Sequence, residues 1–148
     1  GRSISRGLGI NKDNVDGMEK TLKVMDEDFT GLCFVNLVDF DMQYGHRRNV
    51  DGYAEAATVF DRQLGEFMSK MRDDDVLMIT ADHGCDPGAP GTDHTREYVP
   101  LLIYGKQVKA GVNLGTYPTF AMIAATISDM FGCDLKTKGE SLLPRFVK

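Results

Sequence analysis

The sequence predicts an α/β fold, a layered domain with a mostly parallel sheet flanked by helices. Short apolar runs, typical of strands buried on both faces, alternate with segments whose apolar residues recur at helical spacing. Loops rich in Gly, Asp and His follow the apolar runs, as in α/β proteins that bind ligands at one edge of the sheet. With 148 residues, 42% of them hydrophobic, the chain has the length of one ordinary domain.

Three apolar segments are predicted to form strands. The first, 32–40, is almost continuously apolar, as expected of a strand covered on both faces. The second and third are 76–80 and 99–104. Because a helical segment separates the first two, we expect a βαβ unit with a parallel strand pair and a right-handed crossover.

Three other segments have the apolar spacing of helices. In the first, residues 18–25, Asp16 lies at a position that suits an N-cap. The second, 53–71, has one apolar stripe with charged residues elsewhere, which is typical of a surface helix. The third, 118–131, begins with a Pro suited to the first turn.

The N-terminal residues 1–14 are rich in Gly, Ser and Arg and have no apolar period. We therefore expect them to form a connection, with the domain itself covering 15–148. The sequence begins with neither Met nor an apolar signal core, so we expect it to start inside a longer protein.

Charge and cysteine content argue against several classes of partner and compartment. The formal charge of -5 comes without a basic tract, so we expect neither nucleic acid nor a membrane as a partner. The apolar runs are far shorter than the roughly 20 residues that cross a bilayer. Three cysteines without CxxC spacing indicate reduced thiols in a cytoplasmic protein rather than a disulfide framework.

All three histidines of the chain lie in loops after predicted strands, and each has an Asp nearby. Because the carboxyl ends of parallel strands meet at one edge of a sheet, we expect these side chains to converge. Imidazole with carboxylate suits Mn, Zn or Fe, and two such metals can clamp the oxygens of a phosphoryl transfer. The candidate residues are Asp39, Asp41, His46, Asp82, His83 and His94.

Simpler interpretations of these residues stay open at this point. A single His in a loop is most often a solvated side chain, and Asp39 or Asp41 could cap the following loop through an Asx-turn. Cys85 could be a soft metal ligand, although packing is the simpler role. Arg47 and Arg48 could face a phosphate, but we favour pairing with nearby acids.

Three strings occur together in a fixed order: DFDMQYGHRRN at 39–49, TADHG at 80–84 and GTDHTREYVPLL at 91–102. Together they resemble the bacterial phosphopentomutase family, which belongs to the alkaline phosphatase superfamily. The resemblance runs from about Asp16 to the C-terminus. It implies that the chain holds the C-terminal part of an alkaline-phosphatase-like, metal-binding catalytic core.

The resemblance also implies a division of the ligands between two manganese ions. Asp41, His46 and His94 match the ligands of one ion, and Asp82 and His83 match ligands of the other, with Zn2+ or another divalent metal as an alternative. Asp39 matches no ligand position. Family members complete the second site with an Asp, and carry the transferred phosphoryl group on a Thr, from a segment that this sequence does not contain. Residues 1–14 would return from a cap domain inserted after that segment.

The implied reaction interconverts ribose 1-phosphate and ribose 5-phosphate, and the deoxyribose esters, through a phosphoenzyme. The expected partners are a small sugar phosphate and the remaining part of the same enzyme. We expect the isolated chain to be inactive, and Thr80, Thr92 and Thr95 would be the first nucleophiles to test if it were active. The alternatives are a cofactor-independent phosphoglycerate mutase, another metal-dependent phosphatase of the superfamily, or an inactive metal-binding fragment.

Overall fold

A computed structural model describes residues 6–148, which form two compact units. The first unit contains the described residues up to Met71 together with Thr80–Leu101, and the second contains Arg72–Ile79 and Leu102–Lys148. The N-terminal part of the predicted connection, residues 1–5, lies outside the described residues. Among residues 6–148, no helix combines the length and the apolar character that crossing a bilayer requires.

Helix α1 spans Asn14–Met25 in the first unit. Its N-cap is Asp13, whose carboxylate accepts a hydrogen bond from the Asp16 N–H at 2.8 Å. The prediction that Asp16 caps the helix is therefore wrong. Asp16 lies in the first turn, where its carboxylate pairs with Lys20 one turn later at 2.7 Å. The buried residues of the helix are Asn14, Gly17, Met18, Thr21 and Val24.

Helix α2 spans Val50–Lys70, also in the first unit. The sequence predicts its C-terminal end within one residue but places its start three residues too late. The earlier start follows from Asn49, whose side chain accepts a hydrogen bond from the Gly52 N–H at 2.9 Å and so caps the helix. At the other end, Lys70 lies 2.7 Å from the carboxylate of Asp26, just after α1.

The predicted strand at 32–40 does not form. Residues 32–38 have no regular secondary structure, and the chain then enters a π-helix at Phe40–Gly45. A strand exists only as part of a hydrogen-bonded ladder, and among residues 6–148 no segment pairs with this one. Two of its apolar side chains are accordingly exposed, Phe34 at 85% and Leu32 at 61%, whereas Val35, Leu37 and Val38 are half-buried.

Two short strands, β1 at Leu77–Thr80 and β2 at Leu101–Tyr104, form a two-stranded antiparallel sheet. Both lie within segments that the sequence predicts as strands. The predicted parallel pair with its right-handed crossover is not formed in the described part of the chain. It is absent because its first strand, 32–40, does not form. The strands that do pair, β1 and β2, are joined by a loop that folds back on itself, with an antiparallel bridge between Gly84 and Thr95.

The second unit ends in two helices, α3 at Ala121–Met130 and α4 at Leu143–Phe146. The Thr126 hydroxyl donates a hydrogen bond to the Met122 carbonyl at 2.7 Å and accepts one from the Leu142 N–H at 2.9 Å. This buried hydroxyl therefore fixes the approach to α4. The helix predicted at 118–131 forms from Ala121 onward, so Pro118 lies before its first turn.

Candidate metal centre

A π-helix brings Asp41 and His46 onto one face of the chain. The His46 N–H donates to the Asp41 carbonyl at 3.0 Å, which is the i to i+5 spacing of a π-helix. The wider turn aligns side chains five residues apart, and His46 Nε2 lies 3.3 Å from Asp41 Oδ1. Single turns of this kind occur often at functional sites because they reorient side chains.

Aromatic packing and a glycine hold the π-helix in place. The Phe40 ring lies 5.2 Å from the ring of Tyr53 and 6.4 Å from that of Phe60, both on α2. At the other end, a Cβ on Gly45 would overlap the sulfur of Cys85 and lie 2.9 Å from the Phe40 carbonyl oxygen. Only glycine fits this position without a shift of its neighbours.

Backbone carbonyls select the tautomers of two histidines. His83 Nδ1 lies 2.9 Å from the Gly84 carbonyl oxygen, and His46 Nδ1 makes a short contact with the Thr92 carbonyl oxygen. A carbonyl oxygen can only accept a hydrogen bond, so Nδ1 carries the proton in both neutral rings. Their Nε2 atoms are left with a lone pair, as a metal ligand requires.

The three histidines converge on one carboxylate oxygen. Asp41 Oδ1 lies 3.3 Å from His46 Nε2, 3.4 Å from His94 Nε2 and 3.7 Å from His83 Nε2. The rings of His83 and His94 stack with centroids 3.6 Å apart and an interplanar angle of 14°. Side chains from the π-helix and from two parts of the loop between β1 and β2 thus lie together, although the parallel strands expected to bring them together are not formed.

The Asp41 carboxylate has the chemistry of an incomplete cation site. Its Oδ1 atom is buried and has no hydrogen-bond donor among residues 6–148, which is costly for a carboxylate oxygen. Imidazole lone pairs facing this oxygen repel it unless a proton or a cation lies between them. One ligand atom each from Asp41, His46 and His94 lie within 4.8 Å of one another. These residues therefore fit a divalent cation that prefers mixed nitrogen and oxygen ligands.

Asp82 and His83 form a second, smaller pair beside this group. His83 Nε2 lies 3.6 Å from Asp82 Oδ1, nearly the same distance as from Asp41 Oδ1. The Asp82 side chain is 82% exposed within the described part of the chain, whereas that of His83 is 24% exposed. The two residues offer fewer ligand atoms than the group around Asp41.

Asp39 and Cys85 make hydrogen bonds with residues outside the group around Asp41. Asp39 is buried and exchanges hydrogen bonds with Asn14, at the start of α1. The Cys85 thiol points to the Phe40 carbonyl oxygen at 3.8 Å. Burial, followed by the negative charge of Asp41, raises the pKa of the Cys85 thiol. A protonated thiol in this position favours packing over metal ligation.

The two arginines after His46 do not form the acid pairs that we favour from the sequence. Arg47 Nε donates weakly to the Met42 carbonyl oxygen at 3.4 Å, and Arg48 has a left-handed backbone with φ of 54°. Neither forms an ion pair within residues 6–148. Sequence reasoning also missed the carbonyls of Gly84 and Thr92, because a backbone acceptor leaves no signal in residue types.

Comparisons with known proteins agree with this chemistry. The profile of the Metalloenzyme superfamily matches residues 4–135. The chain is 56% identical to the phosphopentomutase of Lachnoclostridium phytofermentans, 53% to that of Acetivibrio thermocellus and 59% to that of Carboxydothermus hydrogenoformans. These matches cover 98%, 97% and 83% of this chain but only 38%, 37% and 32% of the relatives' lengths. Since the superfamily profile covers most of its length, this chain belongs to the metalloenzyme superfamily.

Proposed function

We propose that this chain is the part of a phosphopentomutase that carries most of its metal ligands. The observation that carries the proposal is the convergence of His46, His83 and His94 on Asp41 Oδ1, at 3.3 to 3.7 Å. It occurs in a chain that is 53–59% identical to curated phosphopentomutases. The proposed reaction interconverts (deoxy)ribose 1-phosphate and (deoxy)ribose 5-phosphate.

In this proposal, Asp41, His46 and His94 hold one manganese ion, and Asp82 and His83 contribute to a second. When bound, two such ions supply positive charge that stabilises the charge developing on a transferred phosphoryl group. The carbonyls behind His46 and His83 keep Nδ1 protonated, so that each ring presents Nε2 to its ion. Asp41 orients the group, because all three imidazoles face the same oxygen.

The phosphoryl acceptor is proposed to be a Thr in the remaining part of the enzyme. Two threonine hydroxyls near the site have partners of their own. Thr95 Oγ1 bonds to the Glu97 carboxylate and to the Asp86 N–H, and Thr80 Oγ1 points to the Ala81 carbonyl oxygen at 3.4 Å. The chain spans 32–38% of the length of its curated relatives, which leaves room for such a segment.

A mutase assay on two forms of the protein tests the proposal. The full-length protein with Mn2+ should interconvert ribose 1-phosphate and ribose 5-phosphate, whereas the 148-residue chain alone should show no turnover. In the full-length protein, Asp41→Asn should abolish turnover, and Asp61→Asn on the exposed face of α2 should not. 3-Phosphoglycerate serves as the control substrate. Conversion of 3-phosphoglycerate instead of the pentose esters would refute the proposed substrate class.

A further inference from the structure

Thr95 joins the two backbone segments that carry His83 and His94. Its N–H donates to the Gly84 carbonyl oxygen at 3.1 Å, in an isolated antiparallel bridge. Its hydroxyl accepts a hydrogen bond from the Asp86 N–H at 2.8 Å and donates one to the carboxylate of Glu97. Both the backbone and the side chain of Thr95 are therefore bonded across the loop.

The two segments approach each other closely because Gly84 lies at their contact. A Cβ on Gly84 would lie 2.6 Å from the Thr95 carbonyl oxygen and 2.7 Å from the Glu97 nitrogen. Next to this contact, the rings of His83 and His94 stack at 3.6 Å. The geometry of the stack thus depends on the bonds that hold Thr95.

His94 depends on this arrangement more than the other two histidines do. His46 and His83 each have a backbone carbonyl behind Nδ1, but the ring of His94 has no hydrogen-bond partner of this kind within residues 6–148. The His94 side chain is also 50% exposed. Its direction therefore rests on contacts with the rings of His83 and His46, whose centroids lie 3.6 and 5.0 Å away, and on the bonds of the next residue, Thr95.

We propose that Thr95 is a positioning residue for metal binding. Its hydroxyl, held between Glu97 and the Asp86 N–H, keeps His94 where Nε2 reaches Asp41 Oδ1. This inference rests on the proposed metal-binding function and adds a residue that contributes no ligand atom. A hydroxyl with only a structural role would affect the stability of the fold, whereas a positioning hydroxyl also sets the metal affinity of the folded chain.

Calorimetric titration of the 148-residue chain with Mn2+ tests this role. Thr95→Val keeps the shape of the side chain but removes both hydrogen bonds of the hydroxyl. It should weaken the tighter binding event about 10-fold, the low end of the loss seen when a group that orients a metal ligand is removed. Thr95→Ser keeps the hydroxyl and should bind like the wild type. Thr58→Val is the matched control, because the Thr58 hydroxyl bonds to the Ala54 carbonyl oxygen within α2, at 3.0 Å, away from the histidines.

Proton NMR of the metal-free chain gives a second measurement. The ring-proton resonances of His94 should shift in Thr95→Val, because the ring leaves its stack on His83, and should stay in place in Thr95→Ser. If Thr95→Val does not fold, Glu97→Leu replaces it, since Leu has no acceptor for the Thr95 hydroxyl. A smaller loss of Mn2+ affinity is expected for Glu97→Leu, because the bond from the Asp86 N–H to the Thr95 hydroxyl remains.

The outcomes separate this inference from the proposal on which it rests. If the wild-type chain binds no Mn2+, the proposed metal site is overturned and the role of Thr95 with it. If the wild type binds Mn2+ and folded Thr95→Val binds it equally well, only the role of Thr95 is overturned. Unchanged affinity in Glu97→Leu, where that variant is needed, has the same consequence.

Discussion

Asp39 and Asn14 each bind the backbone of the other through their side chains. Asp39 Oδ2 accepts a hydrogen bond from the Asn14 N–H at 2.8 Å, and Asn14 Oδ1 accepts one from the Asp39 N–H at 2.9 Å. Both residues are buried, with 9% and 4% of their surface exposed. Because Asn14 begins α1 and Asp39 precedes the π-helix, this pair joins α1 to the turn that carries Asp41.

Replacing Asp39 by Ala is expected to lower the free energy of unfolding by about 1–3 kcal/mol, because the Asn14 N–H stays buried without an acceptor. Urea denaturation of the metal-free chain measures the change. Asp61→Ala, at an exposed position on α2, is the control and should stay within about 0.5 kcal/mol of the wild type. An equal loss of unfolding free energy in Asp39→Ala and Asp61→Ala would mean that the pair of Asp39 and Asn14 does not stabilise the fold.

The proposed division of ligands predicts two unequal Mn2+ binding events. Asp41, His46 and His94 offer three ligands and should bind more tightly than Asp82 and His83, which offer two. His94→Ala should remove the tighter event, whereas Asp82→Ala should affect only the weaker one. Calorimetric titration of the wild type, His94→Ala and Asp82→Ala with Mn2+ measures the affinity of each binding event. Two equal events in the wild type, or a tight event that survives in His94→Ala, would show that the ligands are divided differently.

The Asp16 carboxylate is expected to stabilise the fold at neutral pH and to lose this effect in strong acid. The hydrogen bonds from Lys20 and from the Lys12 N–H lower the pKa of the Asp16 carboxyl. A lowered folded-state pKa contributes stability that is present above the unfolded-state pKa, near 3.9, and is lost as pH falls through the folded-state value. Asp16→Asn should therefore be less stable than the wild type at pH 7, and the two should converge in strong acid.

Thermal unfolding between pH 7 and pH 2 checks this expectation for Asp16. A difference between Asp16→Asn and the wild type that stays constant over this pH range would show that the Lys20 pair does not contribute to stability.

Gly45→Ala should destabilise the fold through steric overlap. The added methyl group meets the sulfur of Cys85 and the Phe40 carbonyl oxygen, and overpacking of this kind costs about 1–3 kcal/mol. Cys85→Ala removes the sulfur, so Gly45→Ala should cost less in that background. Gly65→Ala on α2 is the control: its Cβ would meet no atom within 4 Å, so the free energy of unfolding should rise slightly. Additive effects at Gly45 and Cys85 would exclude the sulfur as the cause.

Elements that follow from local patterns could be predicted from the sequence. Helix α2 forms where an apolar stripe recurs along 53–71, and both strands lie in β-branched or apolar runs. The predicted strand at 32–40 failed because strand formation depends on a partner, and a single apolar run does not say where that partner lies. The π-helix at Phe40–Gly45 was missed because a wider turn has no distinct residue pattern.

The candidate site was more predictable in its residues than in its geometry. Three histidines, each with a nearby Asp, indicated the cluster around Asp41, because few other roles need those residue types together. The orientation of the rings was not predictable, since it depends on the carbonyls of Thr92 and Gly84 and on a folded-back loop. The types of ligand can be read from the sequence, whereas the directions of their side chains depend on the backbone around them.

The partly exposed segment 32–38 affects how the chain behaves at high concentration. It contains no charged residue and no Pro, and Phe34 is 85% exposed. Apolar segments of six or seven residues with these properties stack readily against identical segments of other molecules. Self-association is therefore expected to limit how concentrated the chain can become in water, independently of how stable each molecule is on its own.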